Sequence, residues 1–100
     1  MINHVVLFKL KSFETEAQKI EAKDKVIESL LALKNKISEI RHIEVGGHHQ
    51  LEDGSFDICL ISHFDSLEGL QAYQIHPEHL KVVDIVRANA SDRAVVDFQF

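Results

Sequence analysis

The residues best suited to chemistry lie in one stretch, 65–81. It holds the chain's one tyrosine, Tyr73, its one proline, Pro77, and two of its seven histidines, His76 and His79. A neutral imidazole accepts a proton near neutral pH, and a phenol held away from water donates to an oxygen on which negative charge is building. With His79 as base and Tyr73 as donor to the developing oxyanion, the pair would suit proton abstraction next to a carbonyl. On a helix opening at Pro77, about 100° per residue puts His76 and His79 in the arc of Val83 and Val86, away from Glu78, Lys81 and Asp84. Both rings are thus predicted to lean inward at a helix N-terminus, whose dipole favours the uncharged imidazole. Each residue also has a purely structural reading. His76 can cap the helix ahead of a proline in its first position, and His79 can be a hydrogen-bonded core histidine. Tyr73, in line with Leu67 and Leu70, can be a packed ring bonded to His4 or to backbone.

The other histidines carry weaker signals. His4 shares a strand face with Val6 and Phe8, where an imidazole is usually a satisfied core group. His63 ends a strand, and His42, His48 and His49 fall at a strand start and in a loop, where solvated side chains are the default. His76 and His79 have i,i+3 spacing, but no third or fourth ligand stands at a recognisable distance, so no metal site is predicted. No Gly-x-Ser-x-Gly elbow, phosphate loop or dinucleotide fingerprint occurs, and Gly46-Gly47 lacks the spacing and following helix such a loop needs. No cofactor is expected.

The elements that must position these groups fit a single domain spanning 1–100, since one hundred residues make one core and not two. A formal net charge of −5 with scattered basic residues argues against nucleic acid as a partner. No run approaches the ~20 apolar residues of a membrane span, and the start shows no basic segment followed by an apolar one, so a cytoplasmic protein is expected. The lone Cys59 reads as a small core residue.

Ile2 to Lys11 alternates as a strand that is apolar on both faces at its centre. Thr15 and Gln18 have capping-box spacing and open a helix expected to run to Ile37, with a stripe of Ile20, Ile27, Leu30, Leu31 and Lys34 and with Val26, Leu33 and Ile37 alongside. Strands follow from Arg41 and from Phe56, joined as a hairpin with a Glu52-Asp53-Gly54 turn; Gly46-Gly47 reads as a bulge or a close backbone approach. Ser66 caps a short helix, Pro77 opens the next, and Arg93 to Phe100 is a fourth strand with Ala94, Val96, Phe98 and Phe100 on one face. The order is β-α-β-β-α-β with a kink in its second helical region, the split arrangement in which helices cover one face of a four-stranded antiparallel sheet. The other face stays apolar, so a homodimer is expected, its two sheets packed into one barrel-like core.

Several stretches resemble the Dabb family, the stress-responsive dimeric α/β-barrel domain. They are His4-Val5-Val6-Leu7-Phe8-Lys9, Glu44-Val45-Gly46, Phe64-Asp65-Ser66-Leu67-Glu68, Val96-Asp97-Phe98 and, most specifically, Tyr73-Gln74-Ile75-His76-Pro77-Glu78-His79. The resemblance covers nearly the whole chain. It implies an α+β, ferredoxin-like subunit that dimerises into an α/β barrel, and a stress-linked protein whose biochemical role is open. A plant subgroup of the family consists of cofactor-free polyketide cyclases, and there the tyrosine and second histidine matching Tyr73 and His79 serve catalysis. The N-terminal histidine matches His4, while a further histidine of the cyclising members falls where this chain has Ile58. A pocket lined by His4, Tyr73 and His79 for a small apolar or carbonyl-containing ligand is therefore expected, with cyclase-like chemistry or, as a further alternative, that of a cofactor-free monooxygenase of the related dimeric-barrel type.

Overall fold

The first strand, β1 (Ile2–Leu10), sets the layers of the molecule. Its even residues, Ile2, His4, Val6, Phe8 and Leu10, are buried, and Asn3, Val5 and Leu7 are only half-buried on the opposite side. Period-2 alternation thus sends one row under the helices and leaves the other on a face that no described residue covers. The structure, a computed structural model, describes residues 1–49 and 56–100, and the expected Glu52-Asp53-Gly54 turn lies outside them.

After β1 come helix α1 (Glu16–Leu31), a short 3₁₀ turn (Ala32–Asn35), strands β2 (His42–Gly47) and β3 (Ile58–Phe64), helices α2 (Leu67–Ile75) and α3 (Pro77–Asn89), and strand β4 (Ala90–Gln99). The strands lie in the order β2-β3-β1-β4, and every pairing is antiparallel. This is the expected α+β, ferredoxin-like arrangement, with two corrections.

The first concerns closure. The sheet is open, with β2 and β4 as unpaired edges, and is not closed into the barrel that the sequence led us to expect. The expected barrel-like core needed two sheets, and this chain supplies one open sheet of four strands, where a small closed barrel has about eight. The second concerns the helices: among the described residues there are three, and not two with a kink. Pro77 has no N–H to continue the helical ladder and forces His76 into an extended conformation (φ −63°, ψ 136°), so α2 ends and α3 begins there.

Local chemistry explains the other ends. Thr15 and Gln18 form the full capping box of α1, and the Ser66 hydroxyl accepts from the Gly69 N–H at the start of α2. Helix α1 is shorter than expected, because the chain tightens into the 3₁₀ turn after Leu31. Leu33, Ile37 and Ile40 then enter the core, while Ile20 and Leu31, both expected inward, are exposed. Near Lys9/Leu10 the β1–β4 register shifts, and there the Asp57 carboxylate accepts from the Leu10 N–H (2.8 Å) and meets Lys19 Nζ (3.5 Å). Gly46-Gly47 makes no bulge; both residues pair with β3, and Gly47 is closely approached by the Lys23 side chain. Cys59 lies half-buried on the uncovered face and not in the core. Among the described residues no helix is long and apolar enough to cross a membrane.

Leu33 and Phe64 sit fully buried in one hydrophobic cluster of sheet and helices, whereas Leu67, the first residue of α2, is 60% exposed. Leu33→Ala is expected to lower unfolding stability by about 2–5 kcal/mol, and Leu67→Ala by no more than about 0.5 kcal/mol, as read from urea denaturation midpoints.

Candidate functional site

The break at Pro77 folds α3 back against the end of α2 and sets the Tyr73 and His79 rings 4.3 Å apart between centroids. Tyr73 is held from the other side by Phe64 (5.0 Å) and by His4 in an edge-on contact (6.1 Å). These groups border a cavity of about 180 Å³ between the helices and the helix-facing side of the sheet. Its floor is buried: His4, Val6 and Phe8 from β1, Leu60 from β3, Leu30, Tyr73 and Val82. His79, Val83 and Val86 form a half-buried wall, and Arg87 and Arg93 an exposed rim. A wider surface groove of about 540 Å³ beside Phe13, Glu21 and Asn89 brings no imidazole or phenol together.

The hydrogen bonds fix which ring nitrogens are available. His79 Nδ1–H donates to the Gln74 carbonyl (3.0 Å), which leaves Nε2 with its lone pair free. On β1, His4 Nδ1–H donates to the Asp97 carboxylate, again leaving Nε2 as the other nitrogen. Asp97 is the cross-strand partner of His4 in the β1–β4 register, so the two side chains leave the sheet on the same face. The Tyr73 hydroxyl oxygen is buried and has no hydrogen-bond partner among the described residues.

Electrostatics follow from this burial. Loss of solvent pushes the Tyr73 hydroxyl up to about 12, against which the positive charge of Arg93 pulls weakly. Burial lowers the His79 pKa; the bond to Gln74 opposes that shift, and the positive charge of Arg93 and the His4 and His76 rings add to it. At neutral pH Tyr73 is therefore a hydrogen-bond donor and His79 an uncharged acceptor. The cause at His79 is burial first and not the helix terminus named in the sequence argument.

The structure brings His4, Tyr73 and His79 around one cavity. His76 does not join them; its Nδ1 accepts from the Glu78 N–H (3.1 Å) and caps α3. Ile58 is buried in the core and does not line the cavity. Sequence reasoning missed Asp97, Arg87 and Arg93. In β4, Arg93, Val95 and Asp97 share the parity opposite to Ala94, Val96 and Phe98, which marks them as a separate row. The register that brings Asp97 to His4, however, joins residues 93 positions apart. His63 and His42 stack at 4.8 Å on the uncovered face, and His42 Nε2 contacts Glu44 (2.8 Å). Among the described residues no group of three or more His, Cys, Asp or Glu could hold a metal ion.

Fold and cavity together define an α+β domain with three helices on one face of an open sheet and a small pocket beneath them. Residues 2–100 match the stress responsive A/B barrel domain, and the chain belongs to that family. It is 33% identical over 101 residues to the stress-response A/B barrel domain-containing protein DABB1 of Arabidopsis thaliana, covering 98% of this chain. The chain spans 46% of that relative's length. Among solved structures it resembles a dimeric protein of unknown function with a ferredoxin-like fold from Bacteroides fragilis (36% identity, TM-score 0.89, 99% of this chain and 95% of that one). A dimeric ferredoxin-like protein of unknown function from Thermobifida fusca is also similar (29% identity, TM-score 0.82, 99% and 90%).

The chain has one tyrosine and no tryptophan, so its phenolate absorbance reports Tyr73 alone. The titration midpoint is expected well above 10, towards about 12, in the folded protein. Because the unfolded chain releases this proton first, the stability contributed by the buried phenol is complete below pH 10 and is lost as pH rises through about 12. A folded-state midpoint at the ordinary value of 10.0 would contradict the burial of the hydroxyl.

Proposed function

We propose that the cavity binds a small carbonyl-containing compound and promotes proton removal from the carbon next to the carbonyl. The Tyr73 hydroxyl donates to the carbonyl oxygen, and His79 Nε2 takes the proton. The C–H bond breaks, an N–H bond forms, and the electron pair moves onto the oxygen as an enolate held by Tyr73. His4, oriented by Asp97, presents its own Nε2 from the floor and serves to place the ligand.

The observation that carries this reading is the Tyr73 hydroxyl, buried beside a cavity without a partner. Leaving such a group unpaired costs about 1–3 kcal/mol, and a ligand oxygen would remove that cost. The volume limits the ligand, since a cavity of about 150 Å³ admits a benzene ring and this one is slightly larger. A single aromatic ring or short branched chain bearing a carbonyl fits the description. With Ile58 in the core, the residues favour enolate formation over the full ring closure of a polyketide cyclase.

Benzoylacetone in deuterated buffer tests the step, with loss of the methylene proton signal followed by NMR. The protein is expected to speed exchange over buffer, and His79→Gln and Tyr73→Phe to cut the protein-dependent rate by about 10²-fold or more. The lowered His79 pKa keeps the base uncharged at its ordinary value of 6.5, so the rate is expected to fall only below that pH. Full activity in both variants would remove the roles assigned to Tyr73 and His79.

We also infer that the chain works as a homodimer joined through the uncovered sheet face. Val96 (62% exposed), Phe98 and Phe100 lie on that face, and Phe100 stacks on His63 at 4.7 Å to extend it. The Asn3 side-chain oxygen on the same face is buried without a hydrogen-bond partner among the described residues. Similar proteins from two bacteria are dimeric, which supports the reading. Light scattering at micromolar concentration is expected to give twice the chain mass of 11.4 kDa, and Phe98→Glu to give the single-chain mass. A single-chain mass for the unaltered protein would overturn the inference.

A further inference from the structure

Two cations stand at the mouth of the cavity. Arg87 and Arg93 both line it, and among the described residues neither makes an ion pair or a side-chain hydrogen bond. Asp97, which shares the strand-face parity of Arg93, is engaged by His4.

The two are not equivalent. Arg87 sits in the last turn of α3, where a cation also complements the helix dipole. Arg93 has no such role. It lies on β4 opposite Phe8, whose ring is part of the cavity floor, so its side chain leaves the sheet on the side facing the cavity. Its charge reaches the interior, opposing the upward push of burial on Tyr73 and adding to the downward push on His79. An apolar chamber with a donor at depth and guanidinium groups at its mouth suits a ligand that is apolar at one end and anionic at the other.

We infer that the ligand is a keto acid, its carbonyl at Tyr73 and its carboxylate held at the rim by Arg93, with Arg87 beside it. The inference rests on the carbonyl-binding reading above and narrows it to a substrate class. A guanidinium fork matches a carboxylate in two parallel hydrogen bonds. A phosphate would bring a second negative charge to the C-terminal end of α3, where the helix dipole already disfavours anions. The single charge of a carboxylate fits that place better.

Calorimetry with benzoylpropionate and its uncharged methyl ester separates the two levels of the reading. The acid is expected to bind about tenfold or more tightly than the ester, an advantage that shrinks with added salt. Arg93→Met is expected to bring the acid-to-ester ratio near one, and Arg93→Lys to keep part of the preference. Arg93 is exposed on an edge strand, so both variants are expected to keep the thermal unfolding midpoint of the parent. Ester binding equal to acid binding would overturn the keto-acid assignment while leaving carbonyl binding in place. An acid preference that survives Arg93→Met would also overturn it, as would displacement of the acid by inorganic phosphate but not by acetate. Failure of both compounds to bind would overturn the carbonyl-binding reading, and the keto-acid assignment with it.

Discussion

Proline at position 77 cannot donate a backbone hydrogen bond, and its ring keeps the preceding residue out of helical geometry. His76 is accordingly extended, its ring nitrogen takes the Glu78 N–H, and the chain leaves α2 to start α3 in a new direction. Everything at the site depends on that change of direction. In a continuous helix the six residues from Tyr73 to His79 would turn them about 120° apart around the axis, with about 9 Å of rise between them. With the break, their rings lie 4.3 Å apart, and α3 supplies Val82, Val83 and Val86 to the cavity wall. The cap and the proline stabilise a helix start, and the same two residues shape the pocket.

A second constraint comes from the sheet. Alternation along β1 sends His4 inward with Val6 and Phe8, and the β1–β4 register meets it with Asp97. A buried imidazole beside a carboxylate has its tautomer and ring plane fixed, which leaves the other nitrogen outside that bond. The same alternation sends Val5, Leu7, Val96 and Phe98 the other way, onto the uncovered face. One register therefore places both the floor of the cavity and the surface through which we infer that a second copy docks. A slip of one residue would exchange the two faces and abolish both.

Much of this was legible in the sequence because it follows from local rules. The Thr15–Gln18 capping box, the Ser66 cap, the role of Pro77 and the β1 alternation each depend on a few neighbouring residues. What stayed hidden depends on residues far apart in the chain. The His4–Asp97 bond spans 93 positions, and the arginines on the rim are recognisable only once β4 lies beside β1. The length of α1 was overread because no glycine or proline ends it; the helix stops where a tighter turn brings Leu33 and Ile37 into the core. The expected barrel failed for a geometric reason, since an apolar second face shows that a sheet wants cover and says nothing of whether the sheet closes.

The central claim is that the unpartnered Tyr73 hydroxyl waits for the oxygen of a ligand. A crystal structure at high resolution, grown with benzoylpropionate at several concentrations, addresses it directly. Density is expected in the cavity with the ketone oxygen within hydrogen-bond distance of Tyr73 Oη and the adjacent carbon facing His79 Nε2. A cavity left empty at saturating ligand, with Tyr73 Oη bonded to a group of the protein itself, would contradict it.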